Sequence, residues 1–388
     1  MAKIYKGRCD KALTKDLLEM LNEVFFSEDP EENRPDFLSL LPKLYKEKYN
    51  PAHNNIVIME DDKIKGAVGL FPMDVNADGM ALKIGGIGNV ASTKDSRGKG
   101  YMIECMNACL DIMKEDGTDY SVLNGQRQRY GHFGYEPGGY SYSFMVNRGN
   151  IDRILGKDAK ASYTWKKLTE DDAETVSKAL ALYNKNIFRY ERTNETFCDI
   201  LMSWGSTPYA FFDGEEFKGY ASINGNGSIN EIEVCETKDF FEVLMCIMEI
   251  SGKKDFHISV APFKKELCEY LGNIASVTEV NQCHCICIFN YARFIKAFLS
   301  LKAKTVSVCN GSAVLLIHGI KKDEKLEITV DGQNVTVEET EKPADIELEH
   351  NEAELLIASI YSGRRLELPA FAQSWFPVYN YAGSEDNV

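Results

Sequence analysis

Apolar residues recur every three or four positions over residues 11–26, where Leu13, Leu17, Leu18, Leu21, Val24 and Phe25 share one side of a predicted helix. Residues 37–45 predict a second helix, closed by the loop at Asn50-Pro51. The period then shortens to two. Residues 56–59 and 67–71 predict strands joined by the turn Glu60-Asp61-Asp62-Lys63, and another strand begins at 81–84. It runs into Gly85-Gly86-Ile87-Gly88-Asn89-Val90-Ala91-Ser92, gives way to Arg97-Gly98-Lys99-Gly100-Tyr101-Met102, and is followed by a helix with Ile103, Met106, Leu110 and Met113 on one face. Residues 118–123 and 140–146 are the next strands. Two helices, a meander and a strand-turn-helix-strand unit predict a mixed α/β domain over residues 1–147.

The order then repeats. Helices at 170–184 and 189–203, strands at 208–212, 218–223 and 229–234, a helix at 240–250, and strands at 256–260 and 283–289 predict a second domain over residues 148–289. Where the first domain has its glycine loop, the second has Glu236-Thr237-Lys238-Asp239. Acidic residues at a helix start cap its amides and repel a phosphate, so no cofactor site is expected there. From residue 290 the pattern is a helix at 293–299, short strands at 305–308, 313–317, 325–330, 334–338 and 346–348, and a helix at 351–361, with Asp331-Gly332 as a hairpin signal. The expected class is α/β (α+β), with mixed sheets flanked by helices in each block.

A helix entered through a glycine turn presents free backbone N–H groups and the positive end of its dipole, which seats a phosphate or pyrophosphate. The amides of Gly98, Lys99, Gly100, Tyr101 and Met102 are the candidates. A Walker loop would need Lys followed by Ser or Thr after its last glycine, and Gly100 is followed by Tyr101. A dinucleotide fingerprint would need a third glycine. What remains is Arg-x-x-Gly-x-x after a strand carrying Val90 and Ser92. This resembles the coenzyme A motif of the GNAT acetyltransferases, V-x-V-x-P-x-x-R-G-x-G-x-G/A. Arg97 and Gly100 match it, Lys94 stands where the motif has Pro, and Met102 where it has a small residue. Downstream, Tyr130-Gly131-His132-Phe133-Gly134-Tyr135 is similar to the Y-x-x-F-G-F/Y ending of the same fold.

Composition narrows the partners. The 388 residues are 44% hydrophobic, ample for several cores. A net charge of −15, from 59 acidic and 44 basic residues, argues against non-specific nucleic-acid binding and favours a cationic partner. No apolar run reaches membrane-span length and none follows Met1 to Lys6 as a signal core, so a cytoplasmic, membrane-free location is expected. The eleven cysteines then read as reduced thiols. In Cys283-His284-Cys285-Ile286-Cys287, alternation puts the cysteines on one strand face and His284 on the other, so the run predicts a buried strand and no metal.

Taken together, the three blocks resemble the Eis-type (enhanced intracellular survival) acetyltransferases over essentially the whole chain. The resemblance implies two tandem GNAT-like domains, the second without a cofactor motif, followed by a sterol carrier protein 2-like domain over residues 290–388. It implies transfer of acetyl from acetyl-CoA to amines of aminoglycosides, polyamine-like cations or lysine, and a homo-oligomer, hexameric or trimeric. Val90, Ala91 and Ser92 would offer backbone groups to the pantetheine arm, and Arg97 to Met102 would hold the pyrophosphate. Tyr130 matches the general acid, and the C-terminal carboxylate, here that of Val388, would help take the amine proton. Glu23, Phe25, Phe26 and Asp36 fall where the fold places its acceptor wall. The alternative is a carrier or scaffold whose coenzyme site is abolished by Lys94 and Met102, or a lipid binder through its last block.

Overall fold

In a computed structural model, which describes residues 4–30, 32, 34–156 and 160–388, an edge strand that was not predicted, β1 (Ile4–Arg8), precedes the predicted meander of β2 (Asn55–Glu60), β3 (Lys63–Ala77) and β4 (Met80–Ser92), and the four pair antiparallel in that order. Helix α1 (Thr14–Phe26) precedes β2. The second predicted helix is broken into the short turns Phe37–Leu40 and Pro42–Tyr45. Pro42 supplies no N–H and pushes the residue before it out of helical geometry, and Leu41 accordingly sits at φ −132°.

From β4 the chain passes into α2 (Tyr101–Asp116), which ends at Gly117 with φ +78°, and then into β5 (Tyr120–Leu123). The buried stripe of α2 is Tyr101, Cys105, Met106, Cys109, Leu110 and Met113. Ile103, expected on that face, is exposed. Residues 101, 105, 109 and 113 share one ridge, and position 103 lies across the helix from it.

Contacts divide the chain into two units. The first comprises the stretch ending at Gly139, His284–Asn380 and Asn387–Val388; the second comprises Tyr140–Cys283 and Tyr381–Asp386. In the first, residues 285–288 pair antiparallel with β5. A separate four-stranded sheet is built from Gly311–His318, Asp323–Asp331, Asn334–Glu339 and Ile346–Glu349. The strand expected at 305–308 is absent: helix Tyr291–Thr305 takes its first residue, the Thr305 hydroxyl donating back to Leu301 O at 3.1 Å, and residues 306–308 are irregular.

The second unit repeats the meander with Thr164–Lys167, Ser206–Asp213, Glu216–Asn224 and Ile229–Val234, then helix Phe240–Ser251 and strand Asp255–Val260. The helix expected from residue 189 begins at Asn194, behind strand Phe188–Tyr190. Thr193 and Thr196 cap it reciprocally and fix its start. Among the described residues, no helix is long and apolar enough to cross a membrane.

Glycines inside a strand cost about 0.5–1 kcal/mol each relative to alanine. Packing explains those of β4. A Cβ on Gly85 would stand 2.2 Å from Met113 Sδ and 3.2 Å from Leu70 Cδ1, so the glycine lets α2 lie directly on the strand. Gly85→Val should therefore lower stability by about 1–3 kcal/mol through overpacking, read as a fall in the thermal midpoint. An unchanged midpoint would contradict this packing.

Candidate functional site

β4 and β5 run parallel, in register from Ile84↔Tyr120 to Ile87↔Leu123, where β5 ends. β4 continues to Ser92, still paired with β3 through Gly69↔Gly88, Ala67↔Ala91 and Gly66↔Ser92. The edge of β4 from Gly88 to Ser92, which includes Val90, Ala91 and Ser92, is thus left beside a gap between parallel strands. A bulge at Asn89-Val90 shifts the β3 register here, with Asn89 at φ +39°. Tyr45 Oη donates to Asn89 Oδ1 at 2.7 Å, and Asn89 Nδ2 donates to Asn55 Oδ1 at 2.7 Å, so the bulge is held from both sides.

The loop that follows is braced from within. Lys65 Nζ meets Asp95 at 2.5 Å, Thr93 Oγ1 donates to Asp95 Oδ1 at 2.7 Å, and Ser96 Oγ donates to Lys65 O at 2.8 Å. Gly98 and Gly100 both sit at φ +82° with open space where a Cβ would be, so backbone conformation, not crowding, requires them. Gly100 is the N-cap of α2 and makes no side-chain cap bond. Helix geometry leaves the amides of Tyr101 and Met102 without intrahelical acceptors. Lys99 differs from the expectation: its amide donates to Ser96 O at 3.2 Å, and its Nζ pairs with Glu60 Oε2 at 2.7 Å. The Lys99 hydrogen bond holds the Glu60 carboxyl below its usual range. Arg97 is exposed beside Gly98. Met102 packs against the apolar core beneath α2, which removes its bulk from the loop.

Tyr130 closes the short helix Arg127–Tyr130 beyond β5, and its ring lies against Gly125, where a Cβ would meet Cε2 at 2.2 Å. Burial raises its phenol above the ordinary tyrosine value, only partly offset by Arg129, so it is protonated at neutral pH. Tyr135 is fully buried, sharing a 2.6 Å hydrogen bond with Ser121 Oγ, which donates to Gly85 O at 2.6 Å. His132 is exposed.

Val388 lies on the other face of β4. A Cβ on Gly86 would meet Val388 Cγ2 at 2.7 Å, and one on Gly88 would meet the Val388 carboxyl carbon at 3.3 Å. Lys43 Nζ donates to Asn387 O at 2.5 Å. Gly86 and Gly88, two apart on one strand face, form the floor on which the chain end rests. An aromatic run leads to the same place: Phe25 and Phe26 pack on Phe37 at 5.2 and 5.3 Å, Phe37 on Tyr45 at 5.0 Å, and Tyr45 on Phe71 at 6.1 Å. The Phe71 ring stands 3.2 Å from where a Gly88 Cβ would be. Glu23 instead lines a groove of about 600 Å³ of mixed charge, with Asp16, Glu19, Asp62 and Asp95 and with Lys63, Lys65 and Lys94. Asp36 caps the turn at Phe37, accepting from Ser39 N at 2.9 Å.

One cluster of ligand-type residues was not foreseen. Cys287, His350 and Glu354 converge in the buried interior, with Cys287 Sγ 3.7 Å and Glu354 Oε1 3.3 Å from His350 Nε2. The signal is weak in sequence, because His350 and Glu354 are one helical turn apart but Cys287 is far from both. Tyr291 Oη at 2.8 Å and Ile320 N at 3.4 Å both approach His350 Nδ1, so that nitrogen accepts. Nε2 then carries the hydrogen and donates it to Gly134 O at 3.1 Å. This tautomer occupies the nitrogen a metal would need. Burial also holds His350 neutral, its value pushed down to about 4, and raises the Glu354 carboxyl well above its usual range. The cluster is therefore a neutral hydrogen-bonded brace joining residues 134, 287 and 350.

A carboxyl whose folded value lies above the unfolded one opposes folding once pH exceeds about 4.3. Glu354→Gln should accordingly raise the thermal midpoint at pH 7, with the gain vanishing towards pH 4, and EDTA should leave the midpoint unchanged. A large fall in the midpoint on adding EDTA would instead assign a metal.

Residues 8–138 match the acetyltransferase (GNAT) domain family. No curated protein sequence matches the chain. Among solved structures it is similar to a conserved protein of Enterococcus faecalis described as a probable N-acyltransferase, at 17% identity and TM-score 0.65, covering 92% of this chain and 90% of that one. A GCN5-related N-acetyltransferase from Kribbella flavida aligns at 13% identity and TM-score 0.67 over 100% and 99% of the two chains. Eis1 from Mycobacterium abscessus aligns at 11% identity and TM-score 0.63 over 100% of both. At these identities the three structures carry the fold, and that fold runs the full length of the chain. The domain match at residues 8–138 supports an acetyltransferase.

Proposed function

We propose that this protein is an acetyl-CoA-dependent N-acetyltransferase acting on amines of small cationic molecules, of the aminoglycoside or polyamine kind, or on lysine. The observation that carries the reading is the end of β4–β5 pairing at Ile87↔Leu123, with β4 continuing to Ser92 and then into a glycine turn at a helix N-terminus. A pantetheine arm is itself a short polyamide. In this reading it extends along Gly88 to Ser92 in place of the missing strand, and the pyrophosphate takes the amides of Gly98, Gly100, Tyr101 and Met102 with the Arg97 guanidinium. The two later blocks are read as a second GNAT-like domain and a sterol carrier protein 2-like domain, and the assembly as a homo-oligomer.

The transfer is direct. A neutral amine attacks the thioester carbonyl, forming the N–C bond. The tetrahedral intermediate expels the coenzyme A thiolate, and Tyr130 gives that sulfur its proton. The amine's surplus proton passes to the Val388 carboxylate. The aromatic run from Phe25 to Phe71 beside Gly88 supports a cationic acceptor.

Release of coenzyme A thiol, measured against an aminoglycoside, a polyamine and a lysine peptide, tests the reading. Turnover with one of them is expected; none, with no binding of acetyl-CoA, would favour a carrier or scaffold. Tyr130→Phe should lower kcat by roughly 10²-fold. Because burial raises the Tyr130 phenol, its loss of activity on the alkaline side should be centred above the ordinary tyrosine value of about 10. A wild-type descending limb centred below pH 9 that Tyr130→Phe abolishes would contradict the assignment.

A further inference from the structure

Tyr130 ends a helix of one turn, Arg127–Tyr130, and a tighter turn, Gly131–Phe133, follows it directly. A helix that short does not hold its own shape in water. Its shape is fixed first by a fork between its flanks. Arg127 Nε donates to Glu136 Oε2 and Arg127 Nη2 to Glu136 Oε1 at 2.7 Å, so residues 127–136 close into a loop with Tyr130 inside it. The Glu136 side chain is 1% exposed, so its carboxylate depends on the donors that reach it within the fold.

A second hold comes from far along the chain. Asn351 Nδ2 donates to Glu136 Oε1 at 2.8 Å and to Gly131 O, on the residue after Tyr130, at 3.3 Å. Asn351 stands in the first turn of helix His350–Ala358, where Glu349 and Glu352 cap each other's backbone and so fix the helix start. Its neighbour His350 donates from the same turn to Gly134 O at 3.1 Å. Oxygens of residues 131, 134 and 136, all within six residues of Tyr130, are thus bound by one helix start. These residues and Tyr130 belong to the first unit.

We propose that Arg127, Glu136 and Asn351 are positioning residues for Tyr130, with the start of helix His350–Ala358 as the support that sets where its phenol lies. The catalytic consequence rests on the acetyltransferase reading, in which that phenol gives its proton to the departing thiolate. The hold on the turn rests on the hydrogen bonds alone. Proton transfer needs the donor within about 3 Å of its acceptor, so a turn loosened by about 1 Å slows the chemical step. The glycine turn at Gly98 and Gly100 lies on other elements, so coenzyme binding is left unchanged.

Arg127→Ala would strand a buried carboxylate, so the informative variants are Asn351→Ser, whose short side chain suits a helix start but reaches neither acceptor, and the isosteric Glu136→Gln. Hydrogen exchange read by mass spectrometry on the full-length protein tests the hold without substrate. In each variant the peptide spanning residues 127–136 should exchange about tenfold faster or more, with peptides of β2 and β3 unchanged. Wild-type exchange of that peptide in both folded variants would overturn the hold, whether or not the protein acetylates amines. In turnover, Asn351→Ser should lower kcat by about tenfold, leave KM for acetyl-CoA unchanged, and cause no further loss in a Tyr130→Phe background. An unchanged kcat, or an equal loss in both backgrounds, would overturn the positioning role. A wild-type protein without transferase activity would remove that role together with the acetyltransferase reading, while the exchange result still decides the hold.

Discussion

Everything proposed for the first unit depends on a parallel strand pair that stops early. β4 and β5 share four paired positions, and then β5 turns away at Asn124-Gly125 while β4 goes on. A strand edge cannot be left bare without cost, since each unpaired amide and carbonyl seeks a partner. An amide-bearing ligand can supply one. The bulge held by Tyr45, Asn89 and Asn55 keeps that edge in place, and the glycine turn at Gly98 and Gly100 delivers a helix N-terminus at its end.

The glycines of β4 serve two faces at once. Gly85 admits Met113 from α2, which seats the helix and so orients its amides. Gly86 and Gly88 admit the chain end, together with Met73 and Phe71. The brace of Cys287, His350 and Glu354 then ties the turn at Gly134, just after Tyr130, to strand and helix elements behind it. Tyr130 therefore sits on a helical turn with packed supports, which is how a side chain is held to the tolerance that proton transfer needs.

Much of this was legible in the sequence, and the reasons differ by element. The period of two in the meander and the apolar stripe of α2 made the order of elements in the first unit legible, because burial on one face leaves a periodic trace. The glycine loop was readable because only positive φ demands glycine in open space, as at Gly98 and Gly100. Lys99 was misjudged because a backbone amide's acceptor, here Ser96 O, leaves no mark in side-chain pattern. Asn89 was missed because asparagine at positive φ looks like any polar strand residue. The buried ion pair and the buried brace join residues far apart in sequence, Arg192 with Asp386 and Cys287 with His350. No local period records such pairs.

A crystal structure of the acetyl-CoA complex would test the central claim most directly. The account predicts the pantetheine arm hydrogen-bonded along β4 between Gly88 and Ser92, beyond Leu123 of β5, with the pyrophosphate on the Gly98 to Met102 turn. Coenzyme A bound elsewhere on the chain, or a gap between β4 and β5 that closes into further strand pairing, would contradict it.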